Sequence, residues 1–207
     1  MAIATIAGTT TFGKAFDKGL KIYKENFALV FLATLVALLV GVLTCGICMP
    51  VMMCGLSAVV LTPVRGGATK PTVGDVFSKF NCFLTAFVSA LVMAILVGVV
   101  GMILMLIPVL GLVLSYVVNA VVLPAVMSWA YLSIIDRNAT IGEAIGALKL
   151  PMEKPFWMFI LISFVAAVVG GIGAVACGIG AFFTMPLAYC IIVAAYNDMA
   201  GGEAAAQ

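Results

Sequence analysis

The sequence contains no histidine, which removes the commonest metal ligand, the usual general base and the usual proton relay. Charge is nearly as scarce. Ten basic and eight acidic residues make up 9% of 207 positions, where a soluble domain carries about a quarter. The net charge of +2 is too small to point to nucleic acid. No Asp, Glu, Lys or Arg falls within residues 27–64, 81–135 or 156–197. Ion-coupled transporters usually keep an ionisable group on their path, so that class is disfavoured. No nucleophile has a base partner and no glycine-rich loop follows a strand pattern, so no enzymatic activity and no cofactor are expected. A cleavable leader is not expected either. Residues 1–13 have no apolar core of the right length, and four lysines precede the first apolar run, which then acts as an uncleaved anchor.

What is present is apolar: 65% of the residues are hydrophobic and the mean hydropathy is +1.32. Each of the three uncharged stretches is too long for one membrane crossing of about 20 residues and suits two. Each is divided by a Gly- or Pro-marked break, CGICMP, IPVLG and CGIG. The reading is an all-α polytopic membrane protein with six transmembrane helices in three hairpins, forming a single integral membrane domain over residues 1–207. All charges then fall on one face, which the positive-inside rule makes cytoplasmic. Both termini lie on that side of the inner membrane, and the other side carries three short uncharged turns.

The hairpins repeat. TFGKAF at Thr11, TVGDVF at Thr72 and TIGEAI at Thr140 each open a cytoplasmic segment, giving parallel repeats over about residues 11–70, 71–138 and 139–198. Thr followed three residues later by Asp75 or Glu143 predicts a capping box; Lys14 in the first copy predicts a weaker cap. Phe12, Phe16, Leu20, Tyr23 and Phe27 recur at helical spacing, with Lys14, Lys18, Lys21 and Lys24 between them. That pattern predicts an amphipathic helix in the headgroup region, its lysines facing anionic lipid; the alternative is packing on the protein's own cytoplasmic face. The entering helices carry small residues four apart: Ala33, Ala37 and Gly41; Ala86, Ala90, Ala94 and Gly98; Ala166, Gly170, Ala174 and Gly178. These rows are expected to be helix-packing seams within the chain. In the returning helices Pro124 and Pro186 each precede an aspartate by twelve residues, Asp136 and Asp198. They are read as structural kinks.

TPVRGGATKPTVGDVFSKF, with its Pro near a helix end, Arg-Gly and Gly-Asp-x-Phe-x-x-Phe, resembles a broad group of uncharacterised bacterial and archaeal integral membrane proteins. It is similar to the membrane domain of glycerophosphoryl diester phosphodiesterases. IIDRNATIGEAI resembles that group's Asp-Arg link and amphipathic helix. CGIGAFFTMPLAYCIIVAAYND resembles its terminal Gly-Ile-Gly, Thr-x-Pro and Ala-Tyr pattern. The likeness covers most of residues 12–198 and is least in the first hairpin. It implies a multi-helix membrane fold without established chemistry; the phosphodiesterase catalytic domain has no counterpart here.

CGICMPVMMC, residues 45–54, raises a different chemistry. Cys45, Cys48, Met49 and, in the third hairpin, Cys177 could form an outer-face Cu(I) site of soft sulfur ligands. Since CGI and MP recur in both hairpins, we read them as turn residues instead; a disulfide from Cys45 or Cys48 to Cys177 is a third option. The polar residues expected at depth are Ser115, Tyr116, Asn119 and Thr184, with Asn119 an interhelical hydrogen-bond partner. The function expected is therefore non-catalytic: a membrane protein that binds lipid, itself or a membrane-protein partner. The alternative is a channel or carrier for a small or neutral solute.

Overall fold

The computed structural model describes residues 8, 10–67, 70–107, 110–175 and 179–201, and among them there are helices and no strands. In chain order these are α1 (Phe12–Glu25), α2 (Phe27–Leu43), α3 (Met49–Val64), α4 (Phe83–Leu104), α5 (Leu110–Val117), α6 (Leu123–Arg137), α7 (Ile141–Gly146), α8 (Phe156–Val175) and α9 (Ile179–Met199). A 3₁₀ turn, Val73–Phe77, precedes α4, and a π-helical turn, Val118–Val122, joins α5 to α6. Three helical segments are long and apolar enough to cross a membrane: Val73–Leu104, Leu110–Arg137 and Gly180–Met199. Two further pairs would do so only as broken spans, α1 with α2 bent by 93° and the α7 segment with α8 bent by 97°. By length and composition, three to five of the expected six spans are present among the described residues. The first hairpin is the weak point: the 16 residues of α3 rise about 24 Å, short of a hydrocarbon core of about 30 Å.

The first hairpin turn explains its string of small residues. The Gly46 N–H returns to Gly41 O at 2.8 Å and the Cys45 N–H to Val42 O at 3.0 Å, the paired bonds of a Schellman cap. Cys45 and Gly46 both take positive φ, 51° and 85°. Pro50 then sits in the first turn of α3, where its missing N–H leaves no bond unmade.

Helix α9 is central. It touches α1, α2, α3, α6 and α8, and Tyr189, Cys190, Ile191, Val193, Ala195 and Tyr196 are all buried. Trp129 of α6 sets its ring edge-on to Phe159 and Tyr196, with centroids 4.9 and 4.8 Å apart, which ties three helices at one point.

Helix α1 does not lie free in the headgroup region. Its apolar side, Ala15, Gly19 and Ile22, is buried across α9. The Gly8 N–H donates to Met199 O at 3.0 Å, a Cβ on Gly19 would lie 2.7 Å from Ile191 Cα, and the Tyr23 hydroxyl donates to Phe183 O at 2.8 Å. Lys14, Lys21 and Lys24 remain exposed on the far side. Lys18 is taken from the lipid-facing set, because its Nζ lies 2.6 Å from Asp198 Oδ1. The apolar stripe of the helix packs on α9.

Two of the three repeat openings share a cap, and the three have little else in common. The Thr72 N–H donates to Asp75 Oδ2 at 2.7 Å and the Thr140 N–H to Glu143 Oε2 at 2.8 Å, while Thr11 makes no side-chain cap bond. The Thr140 bond helps hold the Glu143 carboxyl down at about 2. The elements that these threonines open differ in kind and length: 14 residues of α-helix, five of 3₁₀ helix, and six of α-helix.

The small-residue rows are seams in two hairpins and not in the other. Ala33, Ala37 and Gly41 are buried, and Met49 Sδ lies where a Cβ on Gly41 would be. Ala166 and Gly170 are buried on α8; the side chain of Ala174 and all of Cys177 and Gly178 lie outside the described residues. In α4, by contrast, Ala90 is only half-buried, Ala94 and Gly98 are exposed, and a Cβ on Gly98 would meet nothing within 4 Å. The buried stripe of α4 is Ala86, Ser89, Met93, Val97 and Gly101. Residues four apart advance by about 40° beyond a full turn each time, so three steps from Ala86 carry Gly98 off the face. Gly98→Leu is therefore expected to change stability by less than about 0.5 kcal/mol in a detergent melt. A fall in melting temperature would restore the intramolecular seam, and loss of an oligomer would place it between subunits.

Candidate functional site

Polar contacts between hairpins gather at the ends of α3, α6 and α9. Arg65 caps α3. Its Nη1 donates to Asp136 Oδ1 at 2.5 Å and its Nε to Asn197 Oδ1 at 3.1 Å. The other Asp136 oxygen accepts from the Tyr196 hydroxyl at 3.1 Å. Arg137 donates to Ala200 O at 2.9 Å, and Asp198 accepts from Lys18 and, at 3.3 Å, from the Thr10 hydroxyl. The Asp136 side chain is only 5% exposed and that of Arg65 20%. Sequence reasoning placed all charges in open links and missed this pairing. The one available signal was the equal spacing of Asp136 and Asp198 from Pro124 and Pro186.

On one side of Arg65 a cleft of about 250 Å³ opens between α3, the segment after Val73–Phe77, and α6. Arg65, Lys79, Asp136 and Thr62 line it, over apolar walls that include Leu61 and Ile135.

The opposite face of α3 lines a larger, apolar cavity of about 430 Å³ between the first and third hairpins. Ala37 of α2, Met53 of α3, Gly170 and Gly171 of α8, and Met185 and Tyr189 of α9 are among its walls. The small residues of α2 and α8 make this space, since they withhold the side chains that would fill it. The Tyr189 hydroxyl lies 2.5 Å from Ser57 Oγ and donates to Met53 O at 3.2 Å, and the Thr34 hydroxyl, also on the wall, donates to Val30 O at 2.7 Å, so these polar groups are satisfied within the protein. Ala167, Gly171 and Met185 are exposed at the rim, so the cavity opens sideways. Phe27 and Phe31 of α2 stack on Phe183 of α9 at centroid distances of 6.3 and 5.2 Å.

The other candidate residues scatter. Cys45 is exposed, Cys48 half-buried and Cys54 buried, and the Met49 sulfur packs on Gly41. Met49 shares the wall of the apolar cavity with Met53 and Met185, Cys177 lies outside the described residues, and among the described residues no group of three or more Cys, Asp or Glu could hold a metal ion. Asn119 and Tyr116 are exposed while Ser115 is buried. Asn119 does not bridge helices: its Nδ2 donates to Ser115 O of its own helix at 2.9 Å. Leu123 N–H reaches five residues back to Val118 O, just before Pro124, whose ring and missing N–H disrupt ordinary helical bonding. The interhelical bond is made by Thr184 instead, whose hydroxyl donates to Gly170 O at 2.7 Å.

The arrangement offers shape and apolar contact in the cavity, and a cationic edge in the cleft. No protein-family model matches the chain, and neither a curated protein nor a solved structure does so.

Proposed function

We propose that this chain is a non-catalytic, polytopic inner-membrane protein that binds lipid, holding part of an acyl chain in the cavity between its first and third hairpins. The observation that carries this reading is the sideways-opening apolar space of about 430 Å³. Ligand sites run from about 300 to 1,000 Å³ and are mainly apolar. In a chain with so few charges, what borders the rim at Ala167, Gly171 and Met185 is hydrocarbon, and a flexible alkyl chain is the available filler. A topology of several spans with both ends cytoplasmic belongs to the same proposal. It is supported by the hydrogen bond from the Gly8 N–H to Met199 O, which brings the two ends of the described chain together, and by the absence of charge from the three apolar stretches. A membrane-impermeant thiol reagent applied outside intact cells should then label Cys45 and spare Cys82; the reverse pattern would invert the orientation.

A channel or carrier for a neutral solute needs a wet path. The polar side chains on the cavity wall, Thr34 and Tyr189, are already bonded within the protein, and the exposed side of α4 and α5 is almost wholly apolar. Filling the cavity tests the choice. A Cβ on Gly171 would meet nothing within 4 Å, so Gly171→Phe should fold and intrude on the opening. Phospholipid retained through detergent purification, counted by native mass spectrometry, should fall, with affinity down by roughly tenfold, or about 1.4 kcal/mol. Equal retention in the variant would sink the acyl-chain site. Solute flux through proteoliposomes, abolished by the same substitution, would favour the channel.

A further inference from the structure

The geometry points to a phosphate-binding site in the cleft between Arg65 and Lys79, on the face of α3 away from the apolar cavity. A guanidinium has five N–H donors. Arg65 uses its Nε N–H on Asn197 and one Nη1 N–H on Asp136, and its other three have no partner among the described residues. The Asp136 carboxylate does not take them as a fork: only its Oδ1 meets the guanidinium, through Nη1, and its second oxygen accepts from the Tyr196 hydroxyl. The pair is thus one-pronged and leaves an edge of the guanidinium unused where the cleft lies. Lys79 lines the same cleft and forms no ion pair among the described residues. Two cations face one carboxylate, so the cleft keeps a net positive charge.

A tetrahedral oxyanion suits that edge. Arginine binds phosphate oxygens through parallel N–H bonds, and lysine adds a compact point charge. Thr62 is not a donor here, since its hydroxyl already donates to Ala58 O at 2.9 Å; recognition falls to the two cations. The walls below, Leu61 and Ile135, are apolar, which matches a phosphate carried on a lipid. The same two cations would also take free inorganic phosphate, and experiment separates the sources.

The test uses the full chain purified in a neutral detergent. Thermal unfolding is followed with inorganic phosphate against chloride at equal ionic strength. In a second arm the protein is placed in phosphatidylglycerol or phosphatidylcholine nanodiscs. A ligand that binds the native state raises the melting temperature by mass action. Lys79→Gln removes one cation without touching the Arg65–Asp136 pair and should weaken the phosphate response about tenfold or more; Lys79→Arg should restore it. A response to phosphatidylglycerol alone identifies a lipid headgroup, and one to inorganic phosphate alone identifies a soluble anion; either supports the site. No stabilisation over chloride and phosphatidylcholine, or a response unchanged in Lys79→Gln, overturns it. Because Gly171 and Lys79 lie on separate sites, failure here leaves the acyl-chain cavity standing, and the converse holds.

Discussion

Gly55→Ala is expected to destabilise the protein by about 3 kcal/mol or more, although the change adds one methyl group. Gly55 lies inside α3, where alanine is the better helix former by up to about 1 kcal/mol, so helix propensity alone predicts the opposite sign. The 3₁₀ turn Val73–Phe77 decides the matter. A Cβ on Gly55 would stand 1.8 Å from Val76 O, 2.6 Å from Val76 C and 2.9 Å from its Cα. All three are backbone atoms, and no rotamer change can clear them. The turn must lift from α3, and Val76, fully buried, must leave its place. Ordinary overpacking costs about 1–3 kcal/mol; moving a backbone segment exceeds that range. For a chain of this size the loss corresponds to roughly 6–12 °C in melting temperature. A melt of Gly55→Ala at or above the wild-type temperature would show that the turn does not rest on α3.

Asp136→Ala should come close behind, at about 2–3 kcal/mol. Removing one partner of a fully buried ion pair costs about 3–5 kcal/mol, since the other charge is left without compensation. The figure is reduced here because Arg65 borders the open cleft and is 20% exposed, which lets water reach the guanidinium. The Tyr196 hydroxyl loses its acceptor at the same time. Asp136→Asn keeps the shape and one acceptor oxygen for Arg65, while its NH2 can donate to the Tyr196 hydroxyl, and should cost less. The double change Arg65→Met with Asp136→Leu should recover much of the loss, as apolar replacement of buried pairs often does. Denaturation of the three variants in one detergent measures the coupling. If Asp136→Ala costs under about 0.5 kcal/mol, the pair behaves as a surface contact and does not join α3 to α6.

Gly98 and Gly55 mark the limits of pattern reading. Both are helical glycines in apolar surroundings. The row containing Gly98 was visible and misplaced, because its four-residue repeat drifts off a 3.6-residue face. Gly55 belongs to no row, and its constraint comes from Val76, 21 positions along and in another element. The ion pairs behave alike: Lys18 with Asp198 and Arg65 with Asp136 join partners far apart in sequence, which charge counting cannot match. The apolar cavity is still less legible, being a volume withheld by small residues on α2 and α8 that appear in the sequence only as good packing material.

The amino-acid sequence by itself determined the helical class, the three uncharged stretches, the breaks within them, and the acid-to-threonine contacts at residues 72–75 and 140–143. Each depends on neighbours within a few residues, or on composition averaged over a helix, where the physics is local. Only the tertiary structure decided that α1 lies on α9, that α4 turns its small residues outward, and that α3 divides an apolar cavity from a cationic cleft. These depend on which helix surfaces fit one another. Apolar helices offer several nearly equivalent faces, and no driving force beyond close packing and a few polar bonds selects among them.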